Sequence, residues 1–126
     1  MCPTAASSPD LADALASRLD DVAPEGLNVR AHEKRIGVYR GDLLLGGSAA
    51  PGILDSESDD QQVETAARST ISAVQDVFAE ELKIPWPAGS GLMPAPDTCV
   101  RSGVLLAWFG PEKEPVLALI SLELRR

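Results

Sequence analysis

The chain has 126 residues, enough for one domain around one core, and its 44% hydrophobic content excludes global disorder. Its net charge of −8 and pI near 4.5 argue against nucleic acid and anionic membrane surfaces as partners, because both repel an acidic chain. Cys2 and Cys99 form no CxxC motif or Cys/His cluster; they read as free thiols of a reducing cytoplasm, although a bridge tying the tail to a strand needs geometry that spacing cannot supply.

Residues 1–8 read as a flexible tail, with no basic segment followed by an apolar core, so no secretory signal is expected there. The remainder, residues 9–126, reads as a single domain. Ser8-Pro9 places an N-cap residue before a proline at the first helical position. Leu11, Leu15, Leu19 and Val22 then recur on one face, predicting a helix from Pro9 to Val22 with Arg18 snorkelling beside the stripe. Pro24 and Gly26 end it.

From Leu27 the period changes to two. Leu27, Val29 and Ala31 face one way, and Asn28, Arg30 and His32 the other. Glu33-Lys34 is a turn. Ile36 and Val38 resume the alternation with Tyr39 opposite, and Arg40-Gly41-Asp42 turns into a short strand Leu43–Leu45, which Gly46 and Gly47 break. The tripeptide at Arg40 matches one that some adhesion receptors bind, but between two apolar runs Gly-Asp is first a hairpin turn. His32 is the sole histidine and reads as an exposed strand residue.

The acidic run 55–60 leads into the longest element, a predicted helix over Ser58–Ile84. At about 100° per residue, Val63, Ala66, Ala67, Thr70, Ile71, Val74, Val77, Phe78 and Leu82 share one face, and Gln75 falls with the polar residues on the other. Ser58 and Gln61 have capping-box spacing, and Pro85 stops the helix. Glu81 interrupts the apolar stripe, so it either overhangs into water or is a partly buried carboxylate with a raised pKa or a basic partner. The acidic run is not a calcium loop: Asp60 stands where an EF-hand needs glycine, and Ala66 where it needs a carboxylate.

Residues 85–97 are rich in proline and glycine and read as a long loop, a class that is often functional. A closing hairpin is predicted from Val100–Phe109 and Val116–Leu124. In its last strand Leu117 and Leu119 lie opposite Val116, Ala118, Ile120 and Leu122, which suggests a central position in the sheet, or a second apolar surface covered by the first helix or by another subunit; the last predicts a homodimer.

The expected fold is α+β, with an antiparallel five-stranded sheet, the long helix across it and the shorter N-terminal helix, in the order α-β-β-β-α-β-β. That order, with the small acidic chain, resembles the type III secretion chaperone-like fold. The resemblance implies a dimeric, non-enzymatic module that holds another polypeptide. The Ala-, Leu- and Asp-rich composition also resembles that of high-GC bacterial proteins.

Adjacent carboxylates at Asp20-Asp21, Asp59-Asp60 and Glu80-Glu81 point about 100° apart on a helix, so they are not preformed acid/base dyads. No nucleotide-binding glycine motif and no nucleophile elbow is present. No catalytic residue, cofactor or metal is therefore assigned. Trp86, Leu92 and Met93 in the long loop, with Leu117 and Leu119 in the last strand, are the candidate partner-binding residues. Trp86 can instead fold back to cap the core. The functional expectation is a cytoplasmic protein-interaction or chaperone-like module; the alternative is a small enzyme or ligand binder with its site near the 85–97 loop.

Overall fold

The long helix stands between two sheets in the computed structural model, which describes residues 11–32, 35–48, 59–87, 91–119 and 121–123. The elements in chain order are α1 (Leu11–Asp21), β1 (Asn28–His32), β2 (Arg35–Arg40), β3 (Leu43–Ser48), α2 (Asp60–Leu82), β4 (Pro96–Arg101), β5 (Val104–Phe109), β6 (Leu117–Ala118) and β7 (Leu122–Glu123). Every strand pairing is antiparallel. The α+β class holds, but the expected five-stranded sheet does not. One sheet has three strands in the order β1-β2-β3, and the other has four, with β4 on one side of β5 and both β6 and β7 on the other.

The reason for the division lies along β4. α2 packs against both β3 and β4, so the two strands do not meet. The Gly110 amide donates to the Ala95 carbonyl at 2.9 Å, which sets the ladder so that positions 96, 98 and 100 point away from β5. Pro96 has no N–H. The Thr98 amide donates to the Asp97 carboxylate at 2.8 Å, and the Val100 amide to the Glu64 carboxylate at 2.7 Å. No outward amide is left for another strand to accept from. At the edge of the other sheet one outward amide of β1 is also occupied: the Val29 amide donates to the Asp20 carboxylate at 3.0 Å.

α2 follows its stripe. Val63, Ala66, Ala67, Thr70, Ile71, Val74 and Phe78 are buried, and Val77 and Leu82 partly so. Its cap is one residue later than the expected Ser58–Gln61 pair. The Gln62 amide donates to the Asp59 carboxylate at 2.8 Å while the Asp59 amide donates to the Gln62 side chain at 2.9 Å. Ser58 lies outside the described residues. Lys83 closes the helix in the left-handed conformation at φ 61°. Glu81 is half-buried and lies 3.1 Å from the Arg40 guanidinium, so the carboxylate has a basic partner.

α1 packs on β1 and β2 through Ala12, Leu15, Ala16 and Leu19. The expected start at Ser8-Pro9 lies outside the described residues. Arg18 snorkels as expected, and its guanidinium donates to the Ser121 carbonyl at 3.4 Å.

β3 runs through Gly46 and Gly47, which the sequence reading took as its end. Glycine is needed there for close approach: a Cβ on Gly46 would lie 2.9 Å from Val77 Cγ2 of α2, and one on Gly47 would run into the Ile36 carbonyl. Register slips between Val38 and Tyr39, leaving Leu45 unpaired and half-buried against the core. Gly41, at φ 62°, closes the β2–β3 turn, as the hairpin reading of Arg40-Gly41-Asp42 requires.

The C-terminal half differs more. The segment read as one strand, Val100–Phe109, is a hairpin: Ser102 and Gly103 both take positive φ, 52° and 76°, in the two-residue turn between β4 and β5. The last strand is broken into β6 and β7. Phe109 pairs with Leu117 and Trp108 with Ala118, but Leu105 pairs with Leu122, a slip of one residue. Because side chains alternate, the slip brings both Leu119 and Leu122 to the core. One buried cluster joins α1, α2 and both sheets.

Candidate interaction site

The connection from α2 to β4 is held at both ends. At its start Trp86 is 8% exposed and packed between two rings: Phe78 of α2 at 4.8 Å between centroids and Phe109 of β5 at 5.2 Å, each edge-on at 79°. Gln75, which the helical period placed among the polar residues, is 2% exposed. Its side-chain amide donates to the Trp86 carbonyl at 3.1 Å and to the Pro94 carbonyl at 2.5 Å. One α2 side chain therefore satisfies backbone acceptors at both feet of the connection.

Between the feet the chain displays apolar side chains. Leu92 is 94% exposed and Met93 42%, with Ile84 at 41% just before the first foot. Residues 88–90 lie outside the described residues.

The five candidates thus separate. Leu92 and Met93 are exposed together. Trp86 folds back into the core rather than standing out as an anchor, because Phe78 and Phe109 enclose it. Leu119 is buried and Leu117 half-buried, since Leu117 pairs with the buried Phe109 and Leu119 lies opposite the buried Ala107, so the apolar second face argued for a homodimer from these residues is not at the surface.

Beside α2 an open depression of about 520 Å³ is lined by Arg68, Ser69, Ser72, Ala73, Asp76 and Pro96. Arg68 lies 3.6 Å from Asp97 at its edge. The two serines have no histidine beside them, since His32 is on β1. Cys99 is half-buried on β4 next to Arg101. The Arg101 guanidinium is held above its ordinary pKa first by hydrogen bonding to Cys99 and then by Glu112, 3.0 Å away. Among the described residues no group of three His, Cys, Asp or Glu side chains could hold a metal ion, and no helix is long and apolar enough to cross a membrane.

Gln75 was legible only in part. It stands four residues after Ile71 and three before Phe78, at the margin of the apolar stripe, but its acceptors lie in another element. Gln75→Leu removes the donor while keeping most of the volume, leaving both carbonyls without it. It is expected to cost about 1–3 kcal/mol, read as a lower urea midpoint at unchanged slope; an unchanged midpoint would show that the two feet hold without it.

No protein-family model, curated protein or solved structure matches the chain.

Proposed function

We propose that the chain is a non-enzymatic protein-interaction module, chaperone-like in holding another polypeptide, and that it engages that partner through the connection between α2 and β4. The observation that carries this reading is Leu92, 94% exposed on a segment whose feet are clamped by Gln75 and Trp86. A Leu held in water has no role in the fold, and burying it against a partner contributes about 1.5–3 kcal/mol. Holding the segment's feet before binding lowers the ordering cost of association. Met93 adds an adaptable apolar contact beside it.

The test compares tagged parent protein with a Leu92→Asp/Met93→Asp variant, using photo-crosslinking and quantitative mass spectrometry. Both positions are exposed, so the variant retains its circular-dichroism spectrum. The expected result is a polypeptide crosslinked by the parent and lost at least about tenfold with the variant, which corresponds to about 1.4 kcal/mol. Identical crosslinked sets from the two proteins would remove the loop from the function.

A further inference from the structure

We propose that the outer face of the β1–β2–β3 sheet binds an acidic polypeptide segment lying flat across it. This rests on the reading that the chain binds polypeptide, but it uses none of the loop's residues, so the two can fail separately.

The face follows from the register. Asn28, Arg30 and His32 of β1 alternate with the buried Val29 and half-buried Ala31, and their partners across the ladder are Tyr39, Gly37 and Arg35 of β2. Tyr39 pairs in turn with Leu44 of β3. α1 and α2 pack on the opposite side, where Val29, Ile36 and Val38 are buried. Arg30, His32, Arg35 and Leu44 are all exposed. The Arg30 guanidinium carbon lies over the Tyr39 ring, 5.3 Å from its centroid, a cation–π arrangement. Leu44 lies across Gly37, where an added Cβ would meet Leu44 Cδ1 at 2.8 Å and Tyr39 Cε1 at 3.2 Å. Gly37 thus makes room for a low apolar floor of Tyr39 and Leu44, with Arg30 over Tyr39 and with His32 and Arg35 at its other end.

The charge is the opposite of the chain's own. In a protein of net charge −8, this face carries Arg30, Arg35 and the titratable His32, and no acidic side chain among the described residues. The nearest described acids are at its margins. Asp20 is engaged by the Val29 amide at 3.0 Å and by the Asn28 side chain at 3.4 Å, and Asp42 is in the β2–β3 turn. None of Arg30, His32 and Arg35 makes an ion pair with a described residue. Two arginines on one sheet face, Arg30 over Tyr39 and Arg35 beside His32, suit carboxylates, and Tyr39 and Leu44 suit the apolar side chains near them.

A polypeptide fits better than a nucleic acid. Nucleic-acid binding draws on many neutralised phosphates, and the acidic remainder of this chain repels a long polyanion. A short segment with a few carboxylates stays within about 8 Å of the cations, the range over which charge acts at physiological salt. Because Asp20 occupies the outward Val29 amide, the segment lies on the face and does not extend the sheet at β1.

The test uses the full chain and fluorescence anisotropy of a short fluorescein-labelled peptide of glutamate and leucine. The matching glutamine–leucine peptide and a fluorescein-labelled oligothymidylate serve as comparisons. The glutamate peptide should bind, should bind more tightly than either comparison, and should weaken as salt rises. Arg30→Glu/Arg35→Glu should reduce its affinity at least about tenfold, and Leu44→Ser should reduce it less. Leu92→Asp/Met93→Asp should leave it unchanged. The proposal is overturned by no binding, by equal binding of the glutamine peptide, by tighter binding of the oligothymidylate, by indifference to Arg30→Glu/Arg35→Glu, or by loss with Leu92→Asp/Met93→Asp. If this peptide binding fails while the loop-dependent crosslinking persists, only the sheet face is lost.

Discussion

Val74→Asp is expected to leave the chain without a cooperative thermal unfolding transition. Val74 is wholly buried in α2, between Ile71 and Phe78 on the stripe that joins the two sheets. A carboxylate there, inside the apolar cluster, must either stay charged without water or take up a proton. Either route costs several kcal/mol. Domains of this size have about 5–15 kcal/mol of stability in total, so the cost removes most or all of it. Val74→Ala separates charge from volume: it leaves only a small cavity and is expected to cost about 2 kcal/mol with the transition intact. Circular-dichroism melts of both variants check this. A melt of Val74→Asp coincident with the parent would show that this face of α2 is not core.

Trp86→Ala is expected to lower stability by about 3–5 kcal/mol, the range for deleting a large buried aromatic. Its ring touches Phe78 and Phe109 edge-on, so two aromatic contacts of about 0.5–1.5 kcal/mol each go with it. Trp86→Phe keeps part of both contacts and should retain more than half of the lost stability. Urea unfolding followed by far-ultraviolet circular dichroism measures both variants without relying on tryptophan emission. A loss below about 1 kcal/mol for Trp86→Ala would mean that the first foot of the loop is not packed as described. If the foot loosens while the rest remains folded, crosslinking through Leu92 should weaken too, because the segment would no longer be held before its partner arrives.

Carboxylates at the sheet edges give the acidic composition a structural part. Asp20, Asp97 and Glu64 each accept from an outward amide of an edge strand. Charge-assisted bonds of this kind are stronger than neutral ones, and they occupy donors through which another chain could pair. The same count of acids, read as composition, says only that the chain repels polyanions.

α2 was the most legible element, because a 3.6-residue period over six turns needs only the residues of the helix itself. Its stripe from Val63 to Phe78 is the buried stripe. The first helix and the β1–β2 alternation were legible for the same reason. The Ser102-Gly103 turn also carried a local signal, a Ser-Gly pair, but Val100 and Val104–Phe109 on either side made one apolar run and hid it. By sequence Pro96 and Asp97 read as loop because proline argues against a strand interior, yet they start an edge strand, where a missing N–H does no harm.

Of the candidate site, Leu92 and Met93 read from the sequence as apolar residues in a proline- and glycine-rich connection, and both are exposed. The burial of Trp86 and Leu119 depended on partners elsewhere: two phenylalanines for the first, and the place opposite Ala107 of β5 for the second. By itself the sequence determined the helical and extended periods, and hence the α+β class and the face that α2 buries. Tertiary structure alone decided that the strands form two sheets, that Gln75 belongs inside and that Trp86 is core. The physical reason is range. A period is a property of neighbouring residues, whereas closing the β4 edge requires Glu64 to reach an amide 36 positions along the chain, which no local pattern encodes.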